Sequence, residues 1–269
     1  MNKLVPILLI PIILIVGLIA LYEYMGSSVG KENIFVSAAP VTQPLLSALS
    51  SNFTSQTGIN LTVSYDASGT TLEKLRLKAP IDIAIFASED WGKKAEMEGL
   101  VKNDTKTKIG VVLLFLYVKK DLNVSCIDDL GMPGLKVGIP NPSVAPAGYE
   151  AMRIINSSKN KDDILKNIVV AKDIGQLVTW YKMGAVDAAF IWSNFALQFA
   201  NTSRIIYPWS CGYETKPFYF VGYVTSYTNN TKAALKFLQY LNSPEVLGEL
   251  KKLGYFTSVE EAYKFMGKG

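Results

Sequence analysis

No histidine occurs in this 269-residue chain, and Cys126 and Cys211 are its two cysteines. Imidazole general bases, His-centred triads and His- or Cys-rich metal sites are thereby excluded. What remains able to do chemistry is a set of three junctions that read as a strand running into a helix. The first is Asp66-Ala67-Ser68-Gly69-Thr70-Thr71-Leu72-Glu73. Thr70 and Glu73 have the spacing of a capping box, so a helix should begin there, with Ser68 and Gly69 just ahead of it. The second, residues 141–148, reads NPSVAPAG and precedes a helix-compatible segment at 149–156. The third is Ala171-Lys172-Asp173-Ile174. Each offers backbone N–H groups, and the first adds a hydroxyl. Helix N-termini and hydroxyls make a site of donors, which suits a fully deprotonated oxyanion that accepts hydrogen bonds and gives none. In the second junction Pro146 would stiffen the loop, while Ala147 and Gly148 would let an anion approach the backbone. Taken singly, the Ser68 junction reads equally well as an ordinary N-cap loop.

Those junctions need a scaffold, and the chain alternates between strand-like and helix-like segments. Residues 34–37 read as a strand, followed by a helix carrying Leu45, Leu49 and Phe53 on one face. Residues 59–65 alternate as a strand, 70–78 form a helix, 81–86 a strand, and Ser88 caps a helix through Leu100 with Glu89 and Asp90 in its first turn. The rhythm continues with strands at 111–118, 135–139 and 188–191 and helices after Gly148 and at 174–183. Repeated units of this kind predict an α/β fold, a mostly parallel sheet with helices on both faces and ligands beyond the carboxyl ends of the strands.

Location is written at the N-terminus. Residues 4–22 are apolar apart from Gly17 and two prolines, and Lys3 is the one charge before them. Such a run spans most of a bilayer core of roughly 30 Å, and the positive flank places the N-terminus in the cytoplasm. Without a small-x-small cleavage site, residues 1–30 read as an uncleaved anchor in preference to a cleaved signal. Glycosylation sequons begin at Asn52, Asn60, Asn103, Asn123, Asn156, Asn201 and Asn229, an excess over chance that agrees with an outside location. There Cys126 and Cys211 could pair as a disulfide, or persist as two free thiols. The net charge of +4 is spread in lysine doublets rather than blocks, which argues against a nucleic-acid partner. No nucleophile motif supports an enzyme, and Asp82 and Asp90 have merely strand-to-helix spacing.

The order of these pieces resembles the molybdate- and tungstate-binding proteins of ABC importers. The matching stretches are SAAPVTQ, ASGTTLEKL, APIDIAIFASEDW, GIPNPSVAPAGYEA, AKDIGQLVTWYKMGAVDAAFIW and a terminal LGYF, covering residues 33–256. The resemblance implies a two-lobed periplasmic-binding-protein fold of the second type, with lobe one at 33–111 and 218–269 and lobe two at 112–217. It implies a monomer without cofactor that closes on its ligand and docks on a permease and, through it, an ATPase. The family's anion contacts fall on Ser68, Ala147 and Ile174, with Gly69 adjoining. Trp192 stands where the family often has a tyrosine. The first loop departs further: Ala39-Pro40-Val41-Thr42 replaces the usual Ala-Ser-Leu-Thr, so Ala39, the Val41 amide or Thr42 would have to serve. Sulfate, phosphate or another small solute stays open as ligand, with Asp66 as the acceptor a protonated phosphate would need, and so does a surface receptor without a transport role.

Overall fold

The computed structural model describes residues 32–268. The apolar run at 4–22, on which the anchor expectation rests, lies outside the described residues. Among these, no helix is long and apolar enough to cross a membrane.

Two five-stranded sheets form the frame. Sheet one holds β1 (Asn33–Ala38), β2 (Asn60–Tyr65), β3 (Ile83–Phe86), β4 (Thr107–Val112) and β10 (Phe218–Val224), in the order β2-β1-β3-β10-β4. Sheet two holds β5 (Leu114–Lys119), β6 (Val137–Pro140), β7 (Ile168–Ala171), β8 (Ala188–Trp192) and β9 (Ser203–Ile206), in the order β7-β6-β8-β5-β9. The expected parallel character holds for half of each sheet. Strands β2, β1 and β3 run parallel, as do β7, β6 and β8, whereas β10 is antiparallel to β3 and β4, and β5 is antiparallel to β8 and β9. The antiparallel strands are the ones by which the chain changes sheet. What the pattern suggested as one strand at 111–118 is two, divided at Leu113.

That crossing is pinned. The Leu113 N–H donates to Ser193 Oγ at 3.1 Å, and the Ser193 N–H donates to the Leu113 carbonyl at 2.8 Å. The chain returns between Ile206 and Phe218, and Phe218 pairs with Val112. Parallel strands buried on both faces read as continuous apolar runs, and β3, β6 and β8 are buried throughout.

Helices cover both sheets. They are α1 (Gln43–Thr57), α2 (Ser68–Arg76), α3 (Glu89–Met97), α4 (Pro146–Asn156), α5 (Lys161–Lys166), α6 (Ile174–Lys182), α7 (Ala196–Phe199), α8 (Thr231–Tyr240), α9 (Pro244–Lys252) and α10 (Val259–Phe265). In α1 the residues Leu45, Leu49 and Phe53 are buried, as their spacing predicts, and Gly58 ends the helix in the left-handed region at φ 75°. Two helices begin earlier than their sequences suggest. Helix α2 starts at Ser68, not Thr70, with Ala67 as its cap and no side-chain capping bond; Glu73 instead pairs with Arg76. Helix α4 starts at Pro146, because proline at the first position presets φ and has no N–H to waste. Ser88 has the extended backbone of an N-cap, but its hydroxyl makes no capping bond.

Cys126 and Cys211 are joined in a disulfide, with Cα atoms 5.8 Å apart and 85 residues between them in sequence. The bond ties a short 3-10 turn after β5 to another after β9, so it closes sheet two at its outer edge. The last helix packs on β4 of sheet one and also reaches sheet two. Phe265 packs its ring against Phe115, Tyr207 and Trp209 at centroid distances of 6.0, 5.5 and 6.1 Å.

Candidate functional site

Because three strands in each sheet run parallel, their carboxyl ends gather on one edge, and the two edges face each other. A small cavity lies between them. Ala39, Pro40 and Val41 reach it from the end of β1, Ala67 and Ser68 from β2, and Ala87 from β3. From the other sheet come Ala145, Pro146 and Ala147 after β6, Asp173 and Ile174 after β7, and Trp192 at the end of β8. Its volume is about 20 Å³, where one water needs roughly 10–15 Å³. That is room for a compact group of a few atoms.

The walls are apolar, and the polar atoms that face inward are donors. Ala147 and Ile174 occupy the second and first positions of α4 and α6, where a helix leaves N–H groups unpaired. Neither N–H has an acceptor among the described residues, and the same holds for Val41. Ser68 is buried, and its hydroxyl oxygen accepts the Ala87 N–H at 3.0 Å. That bond occupies an oxygen lone pair and leaves the hydroxyl proton to point elsewhere. Three helix N-termini of nine, eleven and nine residues thus converge, each carrying partial positive charge. Among the described residues, no lysine or arginine lines the cavity. The one carboxylate there, Asp173, is turned back on its own helix and accepts the Gln176 N–H at 2.8 Å.

Trp192 is buried and forms one wall, with its ring 5.3 Å from Phe218. Its carbonyl accepts the Tyr117 hydroxyl at 3.0 Å, and burial pushes the Tyr117 phenol well above its ordinary pKa, so it stays a donor.

Other expected residues are placed differently. Gly69 adjoins the cavity, but its N–H is spent on the Val144 carbonyl of the opposite lobe, at 2.8 Å. A side chain there would stand 2.9 Å from both Val144 and Trp91, so glycine is what lets the lobes meet. Gly148 serves its own lobe, not an approaching anion: a Cβ would lie 2.1 Å from the Pro140 carbonyl oxygen. Ala39 contributes its methyl, since its N–H donates to the Ile85 carbonyl at 2.8 Å. Thr42 does not line the cavity; its hydroxyl and its N–H both donate to the Ala39 carbonyl, at 2.7 and 2.9 Å. Asp66 faces away and accepts from Lys74, Ser64 and Ser37 at 2.6, 2.9 and 3.1 Å. Burial alone would raise its pKa, but these partners outweigh burial and hold it below the ordinary carboxylate value. Asp82 likewise caps structure, accepting the Phe35 N–H at 2.8 Å.

A site of unpaired amides and one hydroxyl between two α/β lobes is the signature of a capture protein. The family model for bacterial extracellular solute-binding proteins matches residues 34–256. The chain belongs to that family. As a solute-binding protein it is 25% identical over 228 residues to YvgL of Bacillus subtilis, named as an ABC transporter substrate-binding lipoprotein, covering 84% of this chain and 86% of that one. It is also 25% identical over 249 residues to the molybdate-binding protein ModA of Rhodobacter capsulatus, covering 90% and 96%. The fold of this solute-binding protein matches the periplasmic molybdate-binding protein of Azotobacter vinelandii with a TM-score of 0.74 at 23% identity, covering 84% of this chain and 99% of the other. It matches the sulfate-binding protein SubI of Mycobacterium tuberculosis with a TM-score of 0.72 at 18% identity, covering 88% and 91%. The chain is therefore an extracellular solute-binding protein and not an enzyme.

Proposed function

We propose that this protein captures a tetrahedral oxyanion, molybdate or tungstate, between its lobes and delivers it to an importer permease and its ATPase. The carrying observation is the donor set: the Ser68 hydroxyl and the Val41, Ala147 and Ile174 amides converge with no cationic side chain among the described lining residues, and the one carboxylate there, Asp173, is engaged by the Gln176 N–H. An anion that still carries a proton would bring a donor of its own and find only Asp173, already engaged by its own helix, to receive it. Phosphate at neutral pH is therefore disfavoured, and Asp66 is turned elsewhere. Organic anions are disfavoured by the size of the cavity. Where the family often has a tyrosine hydroxyl, the Trp192 indole N–H is the sole side-chain donor available, so one contact is weaker or longer. Sulfate is the second reading, supported by its equally complete lack of protons.

The protein would act as a monomer outside the cell, held to the membrane by its N-terminal run and carrying N-glycans at the exposed sequons, those of Asn103, Asn123, Asn156, Asn201 and Asn229. Asn52 is half-buried and donates to Glu245, which makes it a poor acceptor. Titration calorimetry against molybdate, tungstate, sulfate and phosphate tests the ligand. The two larger anions should bind at micromolar Kd or tighter and sulfate at least ~10-fold more weakly, a difference of about 1.4 kcal/mol. Tryptophan emission should change on binding, and lose most of that change in Trp192→Phe. Equal affinity for phosphate would sink the donor-only reading.

A further inference from the structure

One buried polar residue has no place in the anion site and yet touches the loop that forms it. Asn194 follows β8 in lobe two and is 3% exposed. Its amide nitrogen donates across the cleft to the Val41 carbonyl at 3.4 Å. The same carbonyl accepts the Tyr255 hydroxyl at 2.6 Å. Burial pushes the Tyr255 phenol far above its ordinary pKa, so it too remains a donor. The amide oxygen of Asn194 is buried with no donor among the described residues. The backbone of Asn194 is overlain by Gly254, where an added Cβ would lie 3.6 Å from its Cα and carbonyl oxygen.

This arrangement bears on the departure at the first loop. With Pro40 supplying neither hydroxyl nor N–H, lobe one has the Val41 amide as its sole donor from this loop. The peptide that follows Val41 is held by one donor from the C-terminal segment and one from lobe two. The Tyr255 bond is made whether the lobes are together or apart, because Tyr255 is carried by the segment bridged to β4 through Val111 and Phe256. The Asn194 bond exists when the lobes are together. An interaction of that kind stabilises the closed state selectively and can shift the equilibrium between open and closed.

We propose that Asn194 is a positioning residue that latches the closed lobes by holding the Val41 loop against the captured anion. The proposal rests on the oxyanion reading for the ligand, but the latch itself is a contact between lobes and is measurable without ligand. In the open form the Asn194 amide is solvated. On closing, its nitrogen exchanges water for the Val41 carbonyl at a long 3.4 Å while its oxygen gains no protein donor among the described residues, so the latch holds weakly and lets the lobes part. Together with the Gly69 bond to Val144, it places one inter-lobe hydrogen bond on each side of the cavity.

Two substitutions test it. Asn194→Leu keeps the branched four-heavy-atom side chain and removes both the donor and the buried acceptor. Asn194→Asp keeps the shape and sets a carboxylate oxygen against the Val41 carbonyl. Spin labels on Leu77→Cys and Met183→Cys, both highly exposed and one on each lobe, report the inter-lobe distance in the full-length protein without anion. Stopped-flow tryptophan emission reports molybdate kinetics. Both variants should lower the closed fraction, Asp more than Leu, and should speed molybdate dissociation by ~5- to 20-fold with association within about twofold. A distance distribution and a dissociation rate unchanged in Asn194→Leu would overturn the latch, because a residue that merely fills space is replaced by Leu without effect. If the wild type gives no signal with any oxyanion but the distances still shift in the variants, the latch stands and the ligand reading falls.

Discussion

The two lobes meet the same cavity with different resources. Lobe two brings Ala147 and Ile174 as clean helix starts, with nothing competing for their N–H groups, and a disulfide closes its outer edge. Lobe one brings more candidate donors, but several are already engaged: Ala39 with Ile85, Thr42 with Ala39, and Gly69 with Val144. What remains is the Ser68 hydroxyl and the Val41 amide. The difference teaches that a donor near a site counts when its own fold leaves it unpaired. Lobe two reads as a preformed half-site, and lobe one as the half that closure completes.

The comparison can be broken at several points. The largest effect should come from the disulfide. A bond closing an 85-residue separation restricts the unfolded chain by about 4–5 kcal/mol in the loop-entropy account. The double variant Cys126→Ser, Cys211→Ser should therefore lose a large part of its stability in denaturant unfolding. Molybdate affinity measured well below the melting transition should survive, because neither cysteine reaches the cavity. Lost affinity in the folded variant would mean that lobe two owes its preformed half-site to the bond.

A smaller effect belongs to lobe one. Ser68→Ala deletes a charge-assisted hydrogen bond worth about 1.5–3 kcal/mol, so affinity should fall roughly 10- to 100-fold. The unliganded protein should also lose about 1 kcal/mol, because the Ala87 N–H, which the Ser68 oxygen accepts, is left buried without a partner. Calorimetry on the folded variant separates the two losses. Unchanged affinity with lowered stability would reduce Ser68 to a structural bond.

The smallest effect concerns pH. Amides and a serine hydroxyl do not titrate in water, so Kd should vary less than twofold between pH 6 and 9. Stability should be equally flat there. The Asp66 carboxyl has a folded pKa below its ordinary value, so its contribution is fully present above the ordinary carboxylate pKa of about 3.9 and is lost as pH falls through the lower, folded value. Acid should therefore weaken the fold below about pH 4 without a transition near neutrality. A steep change in Kd inside the window would reveal a titrating ligand that the donor set does not contain.

The frame was largely legible in the letters. Alternating apolar segments announced β1 to β3 and α1, and turn chemistry located the three junctions that bear donors. Two kinds of detail were not. Periodicity cannot show that 111–118 is two strands, because Val111 to Val118 is apolar throughout and nothing local marks Leu113 as the crossing; its Ser193 partner lies 80 residues on. Nor can a sequence say whether an amide is free. Gly69 and Ala147 both look like bare backbone beside a helix start. Which one is available depends on Val144, whose carbonyl takes the Gly69 N–H, and that approach is a tertiary fact. Asn194 carried no signal beyond its position two residues after Trp192.

Ala147, Ile174 and Val41 face the cavity through their main chain, and this changes what inheritance can see. Exchanging one such residue for another of similar size leaves its N–H where it was, and proline alone among the twenty removes it. A lineage can rewrite these letters and keep the same donors in place. At Ser68, by contrast, the donor is the side chain itself, and at Gly69 and Gly148 an added Cβ would collide with Val144 or Pro140. The two relatives at 25% identity leave ample room for such exchanges.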